Sequence, residues 1–147
     1  MLATNPGTGR TEAKPVSGLV VGSGQKDLVE ITVDTDGPTG TAIGTVTATD
    51  GHPFWVADKH RWLEAKAIKV GDRLRTDNGE LREVVNTRAW SETRTVHNLT
   101  VADFHTYYVG AGNATVLVHN ANKKCNLLIR RVAVVAATGY RRVLTST

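Results

Sequence analysis

The stretch TVLVHN, residues 115–120, runs apolar and β-branched and then stops on a histidine beside an asparagine. An asparagine so placed carries a specific chemistry. Its side-chain amide nitrogen can attack its own backbone carbonyl carbon, close a five-membered succinimide and break the peptide bond that follows. The amide is a weak nucleophile and the departing amine a poor leaving group, so the step needs help. A fold helps by holding the side chain in attack geometry. A nearby imidazole, with a pKa of about 6.5, can polarise the carbonyl or protonate the leaving nitrogen at neutral pH. His119 adjoins Asn120 and strand pairing can bring His105 close, which nominates both for those duties at the Asn120–Ala121 bond. On the two terminal residues alone, a strand running out into a polar turn is the more economical account, because asparagine bonds readily to local backbone there.

Such residues need a scaffold. A chain of 147 residues has room for one domain with a true core and a tail or two. With 40% hydrophobic and 22% charged residues it belongs to the globular class rather than the disordered one. No apolar run approaches the roughly 20 residues of a bilayer-spanning helix. The longest, VAVVAA at Val132–Ala137, is bracketed by Arg131 and Thr138, and no membrane association is expected. The first residues, MLATNPGTGRTEAKP, lack the charged-then-apolar pattern of an export signal, so localisation is left open. A single cysteine, Cys125, excludes an internal disulfide and a Cys-rich metal framework, and reads as an incidental thiol. Charge is unevenly placed: the chain carries net −2 through Asp103 and +6 beyond it, where only Lys123, Lys124, Arg130, Arg131, Arg141 and Arg142 are charged. Basic pairs scattered among Leu, Val and Ala fit a solvated extension better than a nucleic-acid surface.

Residues 1–15 read as a linker, with Pro6, Gly7, Gly9 and Pro15 and no periodicity. VSGLVVGS and DLVEITVDTD then read as strands, the second alternating apolar and polar. TVTATD, FWVA, LREVVNTRAW, RTVHNLTV, TYYVG and TVLV continue the series between turns. TDNGE, residues 76–80, is a hairpin signal, since Asn-Gly suits a type I′ turn. RWLEAKAIKVGDRL is the one helical-looking stretch. The rhythm predicts an all-β domain over residues 16–120, built of short strands and hairpins. Residues 121–147 form a basic C-terminal extension whose structure the pattern leaves undecided.

Three segments stand in order along that body: Thr49-Asp50-Gly51-His52, then VHNLTVADFHTYYV from Val96, then VLVHN at 116–120. Together they resemble the ordered motifs of the HINT superfamily, the self-processing hedgehog and intein domains. GDRLRTDNGE resembles the Gly-Asp segment that these domains carry between the first and second motifs. LVEITVDTDG and TVTATDGHPFWV are most similar to the pretoxin subgroup, which precedes the C-terminal toxin of actinobacterial Rhs and YD-repeat polymorphic toxins. Any one motif is weak, but three in order over roughly residues 2–120 are specific. The resemblance implies single-turnover autocatalytic cleavage between Asn120 and Ala121, with the chain's own peptide bond as substrate and no cofactor or metal. It gives Thr49 and His52 a different role from His105 and His119: they hold and polarise the peptide bond at the upstream junction. The alternative for that pair is a strand-end turn with the threonine hydroxyl on backbone.

The family's domain opens on a nucleophilic cysteine and a short strand, whereas this chain begins at MLATNPGTG, which resembles the stretch just after that opening. The expectation is therefore an N-terminally truncated fragment, incomplete in its first strands and with unpaired edges. Splicing is not expected, because no upstream nucleophile is present and Ala121 follows Asn120; cleavage at that bond remains open. An inert HINT-fold remnant with a structural or binding role is the first competing reading. A metal-dependent nuclease is the second, disfavoured because no His-x-x-x-His spacing or Cys pair is seen. A monomer without a small-molecule ligand is expected. Trp55, Trp62, Phe54, Tyr107 and Tyr108 read as core or rim aromatics, His60 and His97 as outward-facing, and Asp72 as a turn residue.

Overall fold

A computed structural model describes residues 1–120, together with the backbone of 127–128, 131–135 and 141–145. Ala121, Cys125 and all six basic residues assigned to the extension lie outside the described side chains. The chain is all-β. β1 (Leu2–Asn5) and β2 (Arg10–Ala13) form a hairpin of their own. β3 (Val16–Gly22), β4 (Gln25–Asp34), β5 (Ile43–Thr49), β6 (Pro53–Val56), β7 (Arg61–Glu64) and β8 (Arg73–Arg75) follow. β9 (Leu81–Thr93), β10 (Val96–Val101), β11 (Thr106–Ala111) and β12 (Ala114–His119) complete the body. Beyond it come β13 (Leu127–Leu128), β14 (Arg131–Val135) and β15 (Arg141–Thr145). Apart from the β1–β2 hairpin, the strands make one path, β15-β14-β11-β12-β6-β8-β9-β4-β5-β13-β10-β3, with β7 paired on β6.

The core gathers Val29, Ile31, Val33, Val46, Phe54, Val56, Leu74, Val84, Tyr107, Val109, Val116 and Val118. Burying a side chain of the size of Phe54 contributes about 1.5–3 kcal/mol. β4 departs from the simple alternation expected of it: Ile31, Thr32 and Val33 are buried in succession. It lies between β5 and β9 with both faces covered, so the polar Thr32 goes inward with its neighbours.

Three local expectations are corrected. RWLEAKAIKVGDRL is not a helix. Arg61–Glu64 pairs with β6, Ala65–Ala67 makes a single 3-10 turn, and Gly71 takes φ +97° where the chain reverses. Trp62 and Leu63, paired with Trp55 and Phe54, claim the segment for the sheet. TDNGE does form the β8–β9 hairpin, but only Gly79 adopts positive φ (87°), and its N–H donates to the Thr76 carbonyl. That is a three-residue loop closed by a left-handed glycine rather than a type I′ turn. Finally, residues 1–15 are not a linker. Leu2, Ala3 and Thr4 are buried, and β1 is stapled to β11 by side chains. The Thr4 N–H donates to Thr106 Oγ1 at 3.0 Å, Thr106 Oγ1 donates to the Thr4 carbonyl at 2.7 Å, and Thr4 Oγ1 meets the Tyr108 hydroxyl at 2.8 Å. Composition gave no warning, because the apolar positions here are few and the contacts are hydroxyl contacts.

Candidate active site

β12 delivers Asn120, and two neighbours fix where it arrives. On one side β11 pairs in strict register, Tyr107↔Val118 and then Thr106↔His119. One step further the Asn120 N–H donates to the His105 carbonyl at 2.8 Å. On the other side β6 pairs Phe54 with Val118. Carried two residues on, that antiparallel register sets Asn120 opposite His52. Asn120 thus ends a strand flanked by His105 and His52, and all three of the ordered motifs meet at the tip of β12.

Alternation decides what each side chain faces. Val118 and Asn120 share the face of Phe54 and Tyr107, which is the core face. His119 takes the opposite face, where Leu2, Tyr108 and Leu117 form a second apolar cluster with Trp55 and Trp62 against it. Trp62 meets the His119 ring edge-on at 5.1 Å, and Trp55 meets Trp62 at 5.3 Å. Held so, the half-buried imidazole turns Nδ1 to the backbone carbonyl oxygen of Asn120, 3.2 Å away. Burial holds the His119 pKa below its usual 6.5, the neighbouring His105 adds to that, and the Asn120 carbonyl pulls the other way. The Asn120 side-chain oxygen is buried and has no hydrogen-bond partner among the described residues.

His105 breaks the alternation. Its backbone is left-handed, φ 55°, as is that of Asp103 at 63°. Histidine and aspartate tolerate this region better than most residues, at a cost of about 1 kcal/mol each. The reversal leaves the His105 ring 6.3 Å from that of His119. The turn is held from the N-terminal hairpin: Lys14 Nζ binds Asp103 Oδ2 at 3.1 Å and lies 4.7 Å over the Phe104 ring, and the Ala102 N–H donates to the Pro15 carbonyl.

Thr49 and His52 close the β5–β6 turn, the His52 N–H donating to the Thr49 carbonyl at 3.0 Å. Both are buried, and the His52 ring lies 5.8 Å from Phe54, edge-on. His60 is exposed, while His97 is half-buried on β10. Asp72 is more than a turn residue. It is buried, binds Lys59 Nζ at 2.9 Å and accepts the Lys69 N–H, which pins the loop before β8. Among the described residues no three His, Cys, Asp or Glu side chains gather as a metal site would require. Two contributors escaped sequence reading. Trp62, read only as a core or rim aromatic, backs His119, and its place opposite Trp55 across the β6–β7 hairpin was the available signal. Lys14 carried no signal at all.

A family described as the pretoxin HINT domain matches residues 1–121 of this chain. Among solved structures the chain is similar to a bacterial intein-like domain from Clostridium thermocellum, 31% identical, covering 82% of this chain and 80% of that one with a TM-score of 0.68. A DnaB intein from Synechocystis shares 22% identity over 82% and 77% of the two chains, TM-score 0.61. The gp41-1 intein shares 20% over 81% and 79%, TM-score 0.57, and these last two bear on the fold alone. A search of curated protein sequences finds no match.

Proposed function

The chain belongs to the pretoxin HINT family and has an intein-like autoprocessing fold; from that premise we propose that it cuts its own backbone between Asn120 and Ala121. The Asn120 side-chain nitrogen attacks the Asn120 carbonyl carbon, forming one C–N bond. The bond to the Ala121 nitrogen breaks, the attacking nitrogen gives up a proton, and the leaving nitrogen gains one. The products are a body ending in a succinimide, which water later opens, and a fragment beginning with the amine of Ala121. In the parent architecture the cut separates the domain from the toxin segment that follows.

The observation that carries this reading is the contact of His119 Nδ1 with the Asn120 carbonyl oxygen, 3.2 Å. That oxygen takes the negative charge as the tetrahedral intermediate forms, so a hydrogen placed on Nδ1 stabilises the transition state more than the ground state. The His105 carbonyl, gripping the Asn120 N–H at 2.8 Å, fixes the backbone on which the attack geometry depends. The left-handed strain at His105, tolerated so close to the bond, fits a role for its ring in proton transfer. Thr49 and His52 stay assigned to the upstream peptide bond. His52, one residue before β6, lies on the side of Asn120 opposite His105.

The test is the intact mass of freshly purified protein incubated in native buffer, with each time point quenched and read by denaturing mass spectrometry. A loss of residues 121–147, abolished by Asn120→Ala, supports cleavage. Persistent full-length chain with native-like folding leaves the inert HINT-fold reading instead. Chelator-sensitive DNA degradation by the same preparation is the outcome that would revive the nuclease reading.

A further inference from the structure

β13 lies between β5 and β10. Leu127 pairs with Ala48 on one side and with His97 on the other, and Leu128 pairs with Thr47. Among the described residues, that edge of β5 and that edge of β10 have no other strand partner. β14 occupies the free edge of β11, Val132 opposite Val109, and β15 pairs along β14 from Arg131↔Thr145 to Val135↔Arg141. The chain after the proposed cut is thus built into the sheet at two places, both by main-chain pairing. With the segment in place Ala48 is 0% and Val109 2% exposed, and drawing the segment out would return unpaired edge N–H and C=O groups to solvent.

We propose that these two edges are a docking site for the segment that follows the scissile bond, so that cleavage leaves two chains held together by strand addition. The proposal rests on cleavage at Asn120–Ala121 and adds a separate step to it. Before the cut, the tether keeps the segment at a high effective concentration beside its edges. After the cut only strand pairing holds it, and release requires β13 and β14 to be drawn out of the sheet. The occupant is recognised by its backbone; β-augmentation takes affinity from main-chain hydrogen bonds.

Each time point of a wild-type, full-length incubation is measured by denaturing and by native mass spectrometry. The denaturing spectrum reads the cut, and the native one reads whether residues 1–120 and 121–147 travel together. Cut chains that travel together at micromolar concentration are the expected result; cut chains that travel apart overturn the proposal. If denaturing mass shows only intact chain, the cleavage reading is what fails. Docking is then decided on that intact protein by hydrogen exchange over residues 127–128 and 131–135. Amides slowed by roughly a hundredfold or more support it, and exchange at unstructured rates overturns it. Leu128→Pro removes an N–H from a strand flanked on both sides, a place proline does not occupy. It should separate the cut chains while leaving the denaturing time course unchanged. Co-migration that survives both this variant and the Val132→Pro change on β14 also overturns the proposal.

Discussion

The sharpest prediction concerns the pH dependence of cleavage and its origin in His119. At an unperturbed pKa of about 6.5, roughly a tenth of imidazoles are protonated at pH 7.5. Burial pushes His119 lower still, so fewer than that carry the charge. If the imidazolium polarises the Asn120 carbonyl, the rate should rise about tenfold for each unit of pH lowered through neutrality, and level off below the depressed pKa. His119→Gln removes the titrating donor. It should slow cleavage by about a hundredfold to a thousandfold, the usual cost of one donor at a developing oxyanion, and flatten the profile. The assay is first-order loss of full-length mass in native buffer from pH 5.5 to 8.5, each sample quenched before denaturing mass spectrometry. Stability runs the other way. A histidine whose folded pKa is depressed binds its proton better in the unfolded chain. Its contribution is therefore complete above about pH 6.5 and is lost as pH falls from there through the folded value. A denaturation curve at each pH keeps the two effects apart. A rate that climbs with rising pH, or a profile that His119→Gln leaves unchanged, refutes the assignment.

Trp62→Leu removes the ring against which His119 rests, and should slow cleavage about tenfold in protein that remains folded by circular dichroism. Tyr107→Phe deletes a buried hydroxyl that donates to Asn98 Oδ1 at 2.8 Å, and should lower stability by about 1–2 kcal/mol, seen as a lower urea midpoint at unchanged slope. Gly44→Ala puts a methyl 2.2 Å from the Ala111 carbonyl oxygen, a backbone atom that cannot swing aside. A loss of about 1–3 kcal/mol is expected, read as a fall in Tm.

What the sequence revealed, and what it hid, divides along a physical line. The all-β character was legible because β-branched runs and turn residues are local signals, and VHNLTVADFHTYYV and VLVHN mark β10, β11 and the β12 that carries Asn120. The hairpin at 76–80 was legible for the same reason, although the turn type was not, since Asn78 itself keeps a negative φ. Illegible features were those decided by non-local pairing. RWLEAKAIKVGDRL has helix-friendly residues, yet Trp62 opposite Trp55 and Leu63 opposite Phe54 outweigh propensity. Residues 1–15 looked like punctuation because their packing uses Thr4, Thr106 and Tyr108 hydroxyls in place of an apolar stripe. His105's left-handed backbone and the lysine that steadies its turn come from opposite ends of the body, Lys14 and Asp103, and no spacing announces them.

One feature of the site follows from strand geometry itself. Adjacent residues on a strand face opposite ways, so the His119 ring cannot lie beside the Asn120 side chain. It can reach the Asn120 backbone carbonyl, and that is where Nδ1 is found. In the proposed reaction the division of labour between the two residues is thus imposed by the pleat: the asparagine would attack from the core face while the histidine would act on the oxygen from the other. Register is what makes it hold. A slip of one residue along β11 or β6 would turn Asn120 toward the Trp55–Trp62 face and His119 into the core. Pairing β12 on both edges, Tyr107 on one side of Val118 and Phe54 on the other, forbids that slip. The placement of two side chains by two neighbouring strands is accordingly as much a part of the proposed chemistry as the imidazole is.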